Sequence, residues 1–145
     1  VIAEKVSYVH GVSNFKIAKR LNDHRPASLE PLGIFFQVNI DDEATKSGAS
    51  AELLYDLVKA CSNLPQLSLM GLMAIPRPSL DFQEQRAGFR KLALLRQSIS
   101  NQLDLTGFTE LSMGMSNDLE AAIAEGATWV RIGTAIFGAR APKIT

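Results

Sequence analysis

The sequence predicts an α/β fold, a single domain over residues 1–145 in which strands and helices alternate around a mainly parallel sheet. Three observations carry that expectation. The runs "LGIFFQVNI" and "LSLMGLMAI" are almost continuously apolar instead of alternating, as in strands covered on both faces. Amphipathic stretches long enough for crossover helices separate them, and parallel neighbours need such connections. Finally, two β-rich pieces near the end finish on small polar residues and glycine, "GMS" and "RIGT". Periodicity alone leaves open whether the sheet is an open one or part of a (β/α) barrel.

The elements follow in order. "KVSYVHGVSN" has room for one short strand, Tyr8 to Val12. The spacing Val12, Phe15, Ala18, Leu21 then predicts a helix capped by Ser13 and ended by the proline-broken "NDHRPASLEP". A buried strand is expected from Ile34 to Val38, and "DDEATKSGAS" is a loop. The next helix presents Leu53, Leu54, Leu57, Val58 and Cys61 on one apolar face. "LSLMGLMAI" is a strand stopped by "PRP". "SLDFQEQRAGFRKLALLRQSIS" is a long helix with Phe82, Phe89, Leu92 and Ile99 inward, weakened in its middle by Gly88. A strand Thr109–Gly114, a helix Asn117–Glu125 and a strand Thr128–Phe137 complete the chain, giving about five strands.

Composition excludes several classes. Fifteen Lys and Arg balance fifteen Asp and Glu without a long run of one sign, which argues against nucleic-acid or anionic-membrane binding through bulk charge. The single cysteine, Cys61, fits a reducing compartment and a packing role. With no signal-peptide pattern and no apolar run of bilayer length, the expected location is cytoplasmic. His10 and His24 share no metal-ligand spacing with Cys61, so no metal site is expected. His24 reads as a surface loop residue, and His10 as a strand-end residue near a site.

Ligands of α/β sheets bind at the carboxyl ends of the strands. The polar residues at those ends are Asn39, Asp41 and Asp42; Arg77 beyond Met73 and Pro76; Met115 and Ser116 after Gly114; and Arg131, Gly133 and Thr134. At "GMSNDLE" a strand ends on glycine and a helix begins within a few residues, with Asn117 placed to cap the amide of Glu120. The free N–H groups of such a turn suit a phosphate or sulfate. "RIGT" supplies a second set, with Gly133 admitting a ligand to the backbone and Thr134 adding a hydroxyl. A Gly-Met-Ser turn before a helix is also common without any ligand, and Asp118 in the first turn satisfies the helix dipole by itself. Arg131, among apolar neighbours, fits either a buried pairing or a ligand contact. Lys46 and Ser47 lie on a loop that reaches an anion if it folds over the mouth.

The segments "RLNDHRP", "FFQVNIDDEATKSG", "LMGLMAIP" and "LSMGMSNDLEAAIAEGATWVRIGTAIFGAR" resemble, in order and over essentially the whole chain, the pyridoxal-phosphate homeostasis proteins, the YggS or PROSC family. The resemblance implies a (β/α)8 barrel of the TIM type, similar to the N-terminal domain of bacterial alanine racemase. It implies pyridoxal 5'-phosphate carried on a Schiff-base lysine, without established turnover. Ser116 and the backbone around Met115 would hold the phosphate together with Gly133 and Thr134. Arg131 would face the pyridine nitrogen and, by its fixed charge, keep it unprotonated, weakening the cofactor as an electron sink. Met73 would lie near the ring, and Asn39 would face the barrel mouth.

The family's "AVSK", "FGENY" and "HFIG" motifs are absent, so the chain resembles the C-terminal portion of one such barrel domain, lacking the Schiff-base lysine. Its seven lysines fall on expected helix faces or loops, and no catalytic residue is assigned. A partial barrel of about five strands has open edges and an uncovered inner face, which implies a missing half or self-association. The expected function is binding of pyridoxal phosphate in intracellular homeostasis of that cofactor. The rival is a racemase-like enzyme acting on amino acids, which needs a second base across the ring; Tyr8 and Tyr55 look misplaced for it.

Overall fold

The computed structural model describes residues 2–44 and 47–143. Its described elements are α1 (Ile2–Lys5), β1 (Tyr8–Val12), α2 (Phe15–His24), β2 (Leu32–Gln37), α3 (Ala51–Cys61), β3 (Leu67–Met73), α4 (Phe82–Gln102), β4 (Glu110–Ser112), α5 (Leu119–Ala124) and α6 (Thr134–Phe137). The four strands are parallel and pair in chain order, β1-β2-β3-β4. The expected alternation of strand and helix is therefore present, with four strands instead of about five.

The missing strand is the predicted Thr128–Phe137. Its first part does run beside β4: the N–H of Trp129 donates to Leu111 O at 3.0 Å, and Trp129 O accepts from the N–H of Met113 at 3.0 Å. The pairing is reduced to one bridge, Ser112 with Trp129. Two local causes cut it short. Gly114 turns to φ +101°, so the N–H of Arg131 reaches Gly114 O at 2.9 Å. At Gly133 the backbone becomes helical, and the N–H groups of Ile136 and Phe137 close a turn on Gly133 O. The apolar trio Ala135, Ile136, Phe137 suggested a strand, but these residues form α6, where Phe137 is 85% exposed.

The helices cover one face of the sheet. Ile34, Phe36 and Val38 alternate toward them from β2 and just beyond it, joined by Leu72 of β3 and Leu111 of β4. Opposite stand Leu54, Leu57, Val58 and Cys61 of α3 and Phe89, Leu92 and Ile99 of α4, all buried. The expected inward Leu53 and Phe82 are instead exposed: each helix stripe is narrower than its apolar count, and Phe82 lies beneath the Arg86 guanidinium, 5.8 Å from the ring centre. Burial pushes the Cys61 thiol up to about 11, in keeping with a packing role. Gly88 has a reason to interrupt α4, since a Cβ there would come within 3.3 Å of Pro76.

Two helix caps differ from expectation. Asn14, not Ser13, caps α2, its Oδ1 accepting from the N–H of Ile17 at 2.9 Å, because Ser13 lies one residue too early for the first turn. Asp118, not Asn117, occupies the cap position of α5, and its carboxylate points away from the helix. At the amino ends of the strands the buried Arg25 donates to Ala3 O, Val6 O and Glu30 O at 2.7–2.8 Å, tying α1 to the approach to β2.

The opposite face is concave. Irregular register on both sides of β2, between Val9 and Val12 of β1 and around Met70 of β3, adds residues and twist to the neighbouring strands. The sheet curls far enough for His10 on β1 to meet Ser112 on β4, with His10 Nδ1 and Ser112 Oγ 2.8 Å apart. Small residues make the curl possible: a Cβ on Gly33 would strike the Tyr8 ring at 2.5 Å, and one on Gly71 would lie 1.8 Å from Glu110 O. The inner face is therefore not bare, as a barrel simply cut open would leave it. Phe35 is fully buried there, its ring stacked under His10 at 4.1 Å and met edge-on by Trp129 at 5.6 Å.

Gly71 separates β3 from β4 by less than a methyl group, so Gly71→Ala is expected to lower stability by at least ~2 kcal/mol in urea unfolding. Gly107→Ala, where a Cβ meets nothing within 4 Å, is expected to change it by less than ~0.5 kcal/mol.

Candidate functional site

The carboxyl ends of β3 and β4 and the segment Trp129–Thr134 converge on one side chain. Arg131 leaves the chain beside Gly114, crosses the end of β4, and donates from Nη2 to Ala74 O, just past β3, at 3.0 Å. Its other terminal nitrogen, Nη1, is buried and has no partner. Burial lowers the proton affinity of this guanidinium, the Asp118 carboxylate opposes that shift, and the group stays positively charged.

A second unpartnered atom lies on the neighbouring strand end. Beyond Gly114 the chain turns through Met115 to Ser116, whose Oγ is buried without a hydrogen bond. Gly114 is required for this turn, because its φ of +101° disfavours a side chain and a Cβ would meet Ala122 at 2.6 Å. The N–H of Met115, one of the donors expected to face an anion, is occupied by Asp118 Oδ1 at 2.7 Å. That donor is therefore engaged within the turn, whereas the Ser116 hydroxyl is not. Met115 itself is exposed.

The Arg131–Gly114 hydrogen bond brings the segments that lead into the Ser116 turn and the Gly133–Thr134 turn side by side. Gly133 has open space where a side chain would project, and Thr134 is exposed at the start of α6. Met73, buried at the end of β3, shares the concave face with Phe35 by strand register. Asn39 is placed differently from the others. Its Nδ2 donates to Glu43 O at 2.6 Å and its Oδ1 accepts from the Glu43 N–H at 3.2 Å, so both ends of the amide close the loop after β2. Arg77 is likewise engaged, with Glu43 at 2.8 Å and its backbone N–H on Asp41. It lines, with Pro76, Gln85 and Asp118, a neighbouring cavity of about 580 Å³ that shares only Asp118 with the Arg131 site. Lys46 lies outside the described residues.

Three residues of the concave face went unread in the sequence. Ser112 bonds to His10, Trp129 packs against Tyr8, His10 and Phe35, and Glu110 accepts from the Trp129 indole N–H at 3.0 Å. A signal for them exists in the two-residue spacing of strands, since Glu110 and Ser112, like Trp129 and Arg131, must share a face. Burial, and to a lesser degree the Arg131 charge, hold the His10 imidazole below its ordinary proton affinity, so it is neutral at pH 7.

What this arrangement offers chemically is a buried cation with one unused terminal nitrogen, an unused hydroxyl beyond the end of β4, and an apolar aromatic wall below. An anion bearing a ring with an acceptor atom satisfies both groups. No group of His, Cys, Asp and Glu among the described residues is arranged to hold a metal ion. The described lysines are all exposed, five of them on helices. Among the described residues no helix is long and apolar enough to cross a membrane.

The chain is 53% identical over 139 residues to the pyridoxal phosphate homeostasis protein of Pseudomonas aeruginosa, covering 96% of this chain and 58% of that one. It is 46% identical over 140 residues to the protein of the same name from Escherichia coli K12, with 97% and 59% covered. It therefore spans somewhat under two thirds of the length of these relatives. Among solved structures, PipY of Synechococcus elongatus with PLP bound superposes with a TM-score of 0.83 at 31% identity, over 94% of this chain and 63% of that one. The alanine racemase of Clostridium difficile superposes with a TM-score of 0.64 at 15% identity, over 94% and 35%, a likeness of fold alone. The curled sheet is accordingly part of a TIM-type barrel. The sequence matches the alanine racemase N-terminal domain family over residues 2–141, and the chain belongs to that family.

Proposed function

We propose that this chain binds pyridoxal 5'-phosphate and forms the phosphate- and ring-nitrogen-binding portion of a protein of pyridoxal phosphate homeostasis. The observation that carries the reading is that two buried polar atoms without partners, Ser116 Oγ past the end of β4 and Arg131 Nη1 on the segment that runs beside it, belong to neighbouring stretches of chain. A buried donor left unsatisfied costs on the order of 1–3 kcal/mol, and a ligand that completes it recovers that cost. In this reading Ser116, Gly133 and Thr134 surround the phosphate together with the turn around Met115, whose own N–H stays on Asp118 Oδ1. Arg131 Nη1 donates to the ring nitrogen while Nη2 stays anchored on Ala74 O, and Met73 borders the ring. Asn39 shapes the mouth through the loop it closes. The whole arrangement is the C-terminal portion of a single barrel domain.

Bound pyridoxal phosphate supplies a reactive aldehyde. This chain's residues contribute orientation and charge. Arg131 keeps the ring nitrogen hydrogen-bonded and unprotonated, because a guanidinium gives up no proton near neutral pH. That suits holding and handing over the cofactor better than carbanion chemistry. A racemase would need a second base across the ring. Tyr8 begins β1, at the far end of the strands, and Tyr55 lies on α3, outside the sheet. The relatives' shared name supports the homeostasis reading.

The two ends of the site are separable by measurement. Ser116→Ala with Thr134→Ala is expected to weaken inorganic phosphate binding, followed by calorimetry or phosphorus NMR, by roughly tenfold, the worth of one or two charge-assisted bonds. Unchanged phosphate affinity would count against the anion site. Arg131→Lys, which keeps the charge but loses the two-nitrogen fork, is expected to weaken pyridoxal phosphate roughly tenfold and inorganic phosphate less than about twofold. Equal losses for both ligands would show that Arg131 acts only as a charge.

A further inference from the structure

His10 belongs to no part of the site described so far, yet its contacts span the molecule. It sits on β1 and bonds to Ser112 on β4, 102 positions away in sequence. Its ring lies flat on Phe35, with an interplanar angle of 16°, and meets Trp129 edge-on at 5.3 Å. Ser112 pairs with Trp129, two residues before Arg131, so His10 rests against the segment that carries the ligand-facing guanidinium.

We propose that His10 is a positioning residue for Arg131: neutral and bonded to Ser112, it supports the wall beneath the guanidinium, and on taking up a proton it sets a second cation against Arg131 and loosens the ring end of the site. The consequence is a site that retains its ligand less well on acidification. The clause about retention rests on the reading that Arg131 faces the ligand's ring; the coupling between His10 and Arg131 does not.

The surroundings determine the sign. On β1 the neighbouring titratable group is the Tyr8 phenol. β2 presents Phe35, with Gln37 further along, and β3 presents Gly71 and Met73, none of them charged. β4 presents Ser112 and Glu110, and the Glu110 carboxylate is engaged by the Trp129 indole. The segment after α5 contributes Arg131, whose charge acts on His10. Asp118, the acid facing Arg131 from the other side, is bonded to the Met115 N–H. Lowered affinity for the proton means that stability is fully present above the ordinary histidine value of about 6.5 and is lost as pH falls from there toward the native value.

The test uses two readouts on the intact chain. Nitrogen-15 NMR of the His10 imidazole, without any ligand, is expected to show a neutral ring whose midpoint lies below 6.5 and rises in Arg131→Met. An unchanged midpoint in that variant overturns the coupling, whether or not the chain binds pyridoxal phosphate. In the second readout, pyridoxal 5'-phosphate affinity is compared at pH 7.5 and pH 5.5 in the native chain and in His10→Gln, which keeps a hydrogen-bonding side chain but does not titrate. The ligand's own ionisations affect both proteins alike. The native chain is expected to lose roughly threefold to tenfold more affinity than His10→Gln over this interval; parallel losses overturn the role in retention. Absence of binding in both proteins would contradict the cofactor reading and with it the retention clause, leaving the NMR result to decide the coupling.

Discussion

The hydrogen bond between His10 and Ser112 crosses the concave face from the first strand of the sheet to the fourth. In a flat sheet those strands would stand three spacings apart, on the order of 14 Å, too far for two short side chains to meet. The bond therefore records the curl of the sheet, and the rest of the molecule depends on that curl. Register irregularities flanking β2 bend the neighbouring strands, while Gly33 and Gly71 remove side chains that would hold the layers apart. Phe35, His10, Trp129 and Tyr8 fill the hollow so produced. On the convex face, α3 and α4 bury an ordinary apolar core.

Curling also brings the strand ends together, and there the structure gives up some stability. Arg131 satisfies one terminal nitrogen on Ala74 O and leaves the other buried without a partner; Ser116 does the same with its hydroxyl. Each unmade bond costs on the order of 1–3 kcal/mol, a sizeable share of the net stability of a domain this size. Asp118 offsets part of the charge burden by its field on Arg131 while occupying the Met115 N–H. In the proposed function these two unmade bonds are completed by an anion with an acceptor ring. The turn after β4 is built on Gly114, the residue that admits the positive φ and the close approach of Ala122.

Much of this was legible in the sequence where one physical signal dominated. Continuous apolar runs located β2 and β3, and helical spacing located α3 and α4, because burial on both faces or along one stripe leaves an unmistakable pattern. The polar residues Ser116, Arg131, Gly133 and Thr134 were nominated as candidates from their chemistry and order. What escaped notice depended on three-dimensional context. The helix at Thr134–Phe137 carries strand-like residues but follows a glycine whose backbone turns helical. Asp118 occupies the cap position of α5 without capping it, because its carboxylate is drawn back to the Met115 N–H. The partnership of His10 with Ser112 requires knowing how strongly the sheet curls, which no local pattern states.

The central claim is that Ser116 Oγ and Arg131 Nη1 are unpartnered because they await the two ends of one ligand. Determining the structure of the chain with pyridoxal 5'-phosphate tests it most directly. The account predicts a phosphate oxygen within hydrogen-bond reach of Ser116 Oγ, about 2.7 Å, and the ring nitrogen within about 3 Å of Arg131 Nη1. The ligand seated elsewhere, with both atoms still facing only protein or water, would contradict it.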